Sequence, residues 1–159
     1  YYMSTIDSLV STKKLIKIGG NLKSHQQPCR RLYSTTDVIE WIKTTLPEAQ
    51  TDGYIETNYS PLEQVVKLVN LFVSGESFER PLPHSMIPKE NGIYRLRTTD
   101  VRLDGWFPLK ASFIIGAIEL KSDTVKKGLD KKMIEKCISV RKELNLNEEY
   151  LIGNYNDNL

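Results

Sequence analysis

The sequence predicts an α+β fold, a small antiparallel-dominated sheet with an N-terminal helix hairpin and a C-terminal helix. Three observations lead there. Three strand-like runs, 93–99, 101–108 and 111–120, follow one another with gaps too short for anything but an antiparallel meander. Two stretches with helical apolar spacing precede them, between Ser34 and Pro47 and between Ser60 and Gly75. A last helical pattern follows Asp130.

Each element has its own signals. "STIDSLVSTKK" (4–14) predicts a short helix, "LIKIGG" (15–20) a strand ending in a glycine turn, "NLKSHQQPC" (21–29) a polar loop, and "CRRLYS" (29–34) a short strand. Ser34 and Asp37 stand in capping-box spacing, with Asp where Glu or Gln is usual. Val38, Trp41, Ile42 and Thr45 then recur at helical spacing until Pro47, and Trp41 reads as core. The next helix is better punctuated. Ser60 is the N-cap, Pro61 the first helical residue and Glu63 the box partner. Leu62, Val65, Val66, Val69 and Phe72 form its apolar stripe, and Gly75 sits where a C-terminal glycine belongs. These two helices are expected to pair as the hairpin.

"RPLPHSMIPKENG" (80–92) holds three of the seven prolines and predicts an ordered loop rather than a strand. His84 lies on it. A loop histidine is most often a surface residue, and a catalytic role is the sharper alternative. Along the first run of the meander, Arg95 and Arg97 share one face, opposite Tyr94 and Leu96. Along the second, Arg102, Asp104 and Trp106 oppose Val101, Leu103 and Phe107. The third, "ASFIIGAIEL", is almost wholly apolar, as a central strand covered on both faces should be. A lysine-rich loop is expected next, then a helix capped by Asp130. Its inner side carries Ile134, Cys137, Ile138, Arg141 and Leu144, so Cys137 reads as a small buried residue. The tail, "NEEYLIGNYNDNL", shows no packing pattern and is expected to be flexible.

Composition bounds the function. The 159 residues fit one domain with an extension and can bury a core unaided. Cys29 and Cys137 have no metal-ligand spacing, cannot close a zinc site alone and suggest no disulfide framework; no cofactor is expected. No apolar run is long enough to span a bilayer and no secretory signal is present; a reducing, cytoplasmic setting follows as the expectation. Net charge is +2, but residues 110–142 carry nine basic against four acidic side chains, on an otherwise slightly acidic chain. Such asymmetry suits a polyanion, whereas the plainer reading is a solvated helix face.

From Ser60 onward, "SPLEQVVKLVNLF", "RPLPHSMIPKENGIYRLRTTDVRLDGWFPLKASFIIGAIELKSD" and "TVKKGLDKKMIEKCISVRKEL" resemble the toxins of the RelE/ParE superfamily of toxin–antitoxin pairs, in its HigB-like branch. In that group a helix hairpin leads to a "GLYELR" strand, a second strand bearing an arginine, an apolar strand and a lysine-rich turn before a basic helix. "GIYRLR" stands for the first strand, so Arg97 matches the family arginine; "VRLDGWF" supplies Arg102, and "AIELKSDTVKKG" supplies Lys121, Lys126 and Lys127. "CRRLYSTTDVIEWIKTTL" resembles the first strand and helix more weakly. Arg95 replaces the usual glutamate, and the lysine turn lacks its Thr-Pro. The likeness divides the chain into an N-terminal extension (1–28), a RelE-like toxin domain (29–146) and a C-terminal tail (147–159).

The resemblance implies a metal-independent mRNA endoribonuclease working on the ribosome, with the 2′-hydroxyl attacking the adjacent phosphate. Arg97 and Arg102 would clamp that phosphate, because guanidiniums stay charged and offer paired donors. Lys121 would join them, either on a flanking phosphate or in proton transfer, and His84 is the candidate acid or base. Arg95, Lys110, Lys126, Lys127 and Lys131 would line the RNA path. A cognate antitoxin is the implied protein partner, with no membrane contact. Against this stand ordinary pairing of the arginines with Asp100, Asp104 or Glu119, a ParE-like gyrase inhibitor of the same fold, and a non-catalytic nucleic-acid-binding module.

Overall fold

The computed structural model describes residues 5–20, 22–78, 83–146 and 150–159. Along the chain run α1 (Ile6–Ser11), β1 (Leu15–Ile18), β2 (Arg31–Thr35), α2 (Thr36–Thr44), α3 (Pro61–Ser74), β3 (His84–Ser85), β4 (Tyr94–Arg97), β5 (Val101–Leu109), β6 (Ser112–Leu120), α4 (Lys121–Lys127), α5 (Asp130–Leu144) and α6 (Tyr155–Asn158). The fold is α+β with a mixed six-stranded sheet, ordered β1-β2-β6-β5-β4-β3. Only β2 and β6 run parallel; the other neighbours are antiparallel, so the meander β4-β5-β6 is as the short gaps require.

Each sheet face buries its own cluster. On the first, Leu32, Tyr94, Leu96, Val101, Leu103, Phe107, Phe113 and Ile115 meet Val65, Val69 and Phe72 of α3 and Val38 of α2. On the second, Tyr33, Ile93, Trp106, Ile114 and Ala117 meet Leu9 of α1 and Met133, Cys137 and Leu144 of α5. β6 is covered from both sides, which is why its run is apolar without alternation. At the β5 bulge, a side chain on Gly105 would collide with the Ile114 carbonyl, so only glycine lets the two strands approach there.

α3 has the predicted boundaries. Ser60 and Glu63 form the reciprocal box, and Gly75 closes the helix at φ +80°. Its stripe differs at two places. Val66 faces solvent, and Gln64 takes an inward position that polar partners satisfy. α2 and α3 occupy the same face without forming a paired hairpin. α2 packs on β1, β2 and β6, whereas α3 packs on β2, β5 and the 3-10 turn Leu46–Glu48 that holds Pro47. Ser34 lies in β2, where its hydroxyl donates to the Thr35 carbonyl; Thr35 caps α2 without a side-chain bond, so the predicted box with Asp37 does not form.

Four further expectations are corrected. Part of 80–92 is strand, because the short β3 pairs with β4; residues 80–82 lie outside the described ones. The lysine-rich loop is the helix α4, whose first turn holds Asp123, whose last holds Lys126 and Lys127, and whose stop is Gly128 at φ +61°. Asp130 is the first residue of α5 rather than its cap, which is Leu129. The tail from Tyr150 is packed. Leu151, Tyr155 and Leu159 join the first cluster, Leu151 N donates to the Phe107 carbonyl at 2.9 Å, and Ala111 N donates to the Asn158 carbonyl at 2.7 Å. Its scattered apolar residues have no period because they cover a sheet edge piecemeal. Residues 147–149 lie outside the described ones.

Candidate phosphate-binding site

Register places the strand arginines. Arg97 of β4 lies directly opposite Arg102 of β5, and Arg102 opposite Glu119 of β6. One row further, His84 of β3 lies opposite Arg95, and Arg95 opposite Asp104. Residues paired this way point to the same side, and the rows are about 7 Å apart along the strands. The result is a small grid of charge on the second face, at the sheet end nearest the start of α5.

Arg95 is the settled member. It is 6% exposed and Asp104 is 0% exposed. Its Nε and Nη2 reach the two Asp104 oxygens at 2.7 and 3.0 Å, and its Nη1 reaches Asp130 at 2.7 Å. Burial alone would lower this guanidinium, but the hydrogen bonds and charge of Asp104, then of Asp130, outweigh it and hold it above its ordinary value. The predicted RNA-contact role of Arg95 is therefore corrected. All its nitrogens face carboxylates, and it ties β4, β5 and α5 together.

Arg102 differs. Among the described residues it has no carboxylate within ion-pair distance, even though Glu119 sits opposite. Its Nη1 donates to the Thr98 carbonyl at 2.6 Å and to the Val101 carbonyl at 3.1 Å. Burial first, then Arg97 and Arg95, push it down to about 10, against Asp104 and Asp130. Arg97 is lowered too, by burial and then by Arg95. Arg102, partly buried beside a second guanidinium, is the member of the pair whose charge an anion would relieve.

A buried polar network fixes the carbonyls that hold Arg102. Gln64 donates to Asp100 Oδ2 at 2.6 Å and accepts from Thr98 Oγ1 and Asp100 N, both at 2.9 Å. Thr98 Oγ1 accepts from Val101 N at 2.9 Å. The β4–β5 turn is thus held by α3. Sequence reading missed Gln64, since nothing in a glutamine on a helix stripe says that it satisfies a turn 34 residues away.

The other predicted residues fall outside the arginine pair. His84 is exposed, one row and one strand away. Lys121 is near the same end, because Val101 lies opposite Leu120, but its ammonium stands over the Tyr54 ring at 4.5 Å. Lys126 and Lys127 are exposed on the last turn of α4, and Lys127 reaches Asp123 at 3.8 Å. Lys131 is exposed on α5 and reaches Glu135 at 3.9 Å. Lys110 does not join the site. It lies beyond the far end of β5, about 25 Å from Arg102 by strand rise.

Cys137 is buried, as expected, and burial pushes its thiol well up. Among the described residues no group of three or more His, Cys, Asp or Glu is placed to hold a metal ion, and no helix is long and apolar enough to cross a membrane. Comparison with protein-family models, with curated proteins and with solved structures gives no match.

Proposed function

We propose that this protein is the toxin of a toxin–antitoxin pair and cleaves mRNA, on the ribosome, with Arg97 and Arg102 on the scissile phosphate. The observation that carries this reading is their direct opposition across β4 and β5, on one face, with Arg102 pushed down to about 10 and, among the described residues, bonded to carbonyls alone. Such a pair offers a dianionic phosphorane more than it offers a monoanionic diester, which is the differential binding that catalysis requires. In the reaction the 2′-oxygen attacks phosphorus as its proton leaves, and the 5′-oxygen departs as it gains one. His84, one row and one strand from the pair, is the candidate acid or base, and Lys121 serves a flanking phosphate.

A second reading, a non-catalytic RNA-binding module, is favoured by one observation: the imidazole is a row away from the arginine pair. One experiment separates them. The parent, Arg102→Ala and His84→Ala are incubated with programmed ribosomes and with free mRNA. Cleavage that falls about a hundredfold or more in Arg102→Ala supports the nuclease. RNA binding without cleavage in the parent supports the module. Parent-like cleavage by Arg102→Ala overturns the assignment of the site.

A further inference from the structure

We infer that the opposite end of the sheet carries a second anion site, built by Lys17, Arg31 and Lys110, that takes backbone phosphates of a single-stranded polynucleotide. These residues border a groove of about 660 Å³ whose described lining residues include four basic ones, the fourth being Arg30, and no acidic one.

The cations come from three separate parts of the chain and are held in fixed relation. Arg31 N donates to the Ala111 carbonyl at 2.8 Å, which locks the start of β2 to the residue after Lys110. Ala111 is itself fixed at φ +61° and donates to the Asn158 carbonyl. Lys17 is placed by the β1–β2 pairing, opposite Tyr33. Arg30 is not a free contact. It donates to the carbonyls of Phe72, Gly75 and Glu76 at the end of α3, so it adds charge to the groove while serving that helix. Lys17, Arg31 and Lys110 are exposed and form no ion pair among the described residues. By alternation Lys17 and Arg31 share the Tyr33 face of the sheet, and there they also line a groove under α1 together with Asp7.

Lysine on an edge strand also guards against sheet-to-sheet pairing, which would explain Lys17 alone. It does not explain why Arg31 and Lys110 meet it over one groove. The two cationic ends lie about 25 Å apart, so an extended strand crossing both is the ligand that uses both. The inference does not need cleavage; it stands if the arginine pair only binds.

The test is a variant with Lys17→Gln, Arg31→Gln and Lys110→Gln, three exposed changes whose folding is checked by circular dichroism. Binding of a labelled single-stranded RNA of about twelve nucleotides is followed by anisotropy across a salt series. Each lost phosphate contact removes about 0.7 from the slope of log affinity against log salt, so the variant slope should be shallower by about 2. Binding should weaken at least tenfold at low salt. An unchanged slope overturns the inference. Inorganic phosphate that competes no better than chloride of equal ionic strength supports a chain ligand; phosphate that competes specifically overturns it in favour of a free phosphate site. As a second readout, Cys29 is exposed on the same groove. Its alkylation by a neutral maleimide should slow severalfold with RNA present, and RNA that binds the parent without slowing it also overturns the inference. The cleavage reading fails separately, on Arg102→Ala.

Discussion

The Arg95–Asp104 pair gives the sharpest test of how this face is built. Asp104→Leu leaves a guanidinium that is 6% exposed with one remaining carboxylate among the described residues, Asp130, whose own side chain is 60% exposed. Arg95→Met leaves a carboxylate that is 0% exposed and no longer faces a cation. Breaking a buried pair on one side costs about 3–5 kcal/mol, whereas replacing both partners with apolar groups of similar size is near neutral. Each single variant should therefore lose about 3–4 kcal/mol, which is roughly 10 °C in Tm for a chain of this size. The double variant should lose about 1 kcal/mol, so most of the loss is coupling. Urea denaturation of all four proteins measures it. The pH dependence adds a sign. In Arg95→Met the isolated Asp104 has a folded pKa raised above its unfolded value, so the folded state binds the extra proton. Its stability deficit shrinks as pH falls from 7 toward 5, and Asp104→Leu shows no such recovery. Single variants that each cost under about 1 kcal/mol, or a double variant as unstable as the sum of both, would refute the reasoning.

Three more outcomes follow from other parts of the molecule. Gln64→Leu strips the β4–β5 turn of its bonds to Asp100 and Thr98. It should cost about 2–4 kcal/mol in urea melts by leaving buried polar atoms unpaired. Tyr94→Phe removes a hydroxyl that donates to the Gly153 carbonyl at 2.6 Å and accepts from Asn158 at 3.0 Å. A loss of about 1 kcal/mol and faster amide exchange after Tyr150 are expected. In native protein one thiol, Cys29, should react with a neutral thiol reagent, and Cys137 only in denaturant, since one is exposed and the other buried; thiol titration by mass spectrometry reads this directly.

Much of the architecture was legible because it rests on local signals. The α3 caps, the meander and the face assignment of Arg95, Arg97 and Arg102 depend only on residues a few positions apart. Errors arose where distance along the chain was taken for distance in space. Lys110 and Lys121 look like one basic tract, yet β6 carries the chain across the whole sheet between them, about 30 Å. Lys110 instead meets Lys17 and Arg31, which no window of sequence could show. Arg95 matched a cationic strand by pattern, and its settled partners, Asp104 and Asp130, emerge only when β5 and α5 are placed. The tail has no period, because the sheet edge it covers supplies the order.

The parallel neighbours β2 and β6 set a schedule for folding. Arg31 and Ser112 must meet before β1 and β2 gain any attachment to the remaining strands. During synthesis the first two strands have only each other and the helices α1, α2 and α3 to pack against until the ribosome has extruded β6. Late closure of so long a loop slows folding, and a chaperone that shields early-emerging segments should raise the yield of this protein more than that of a simple meander.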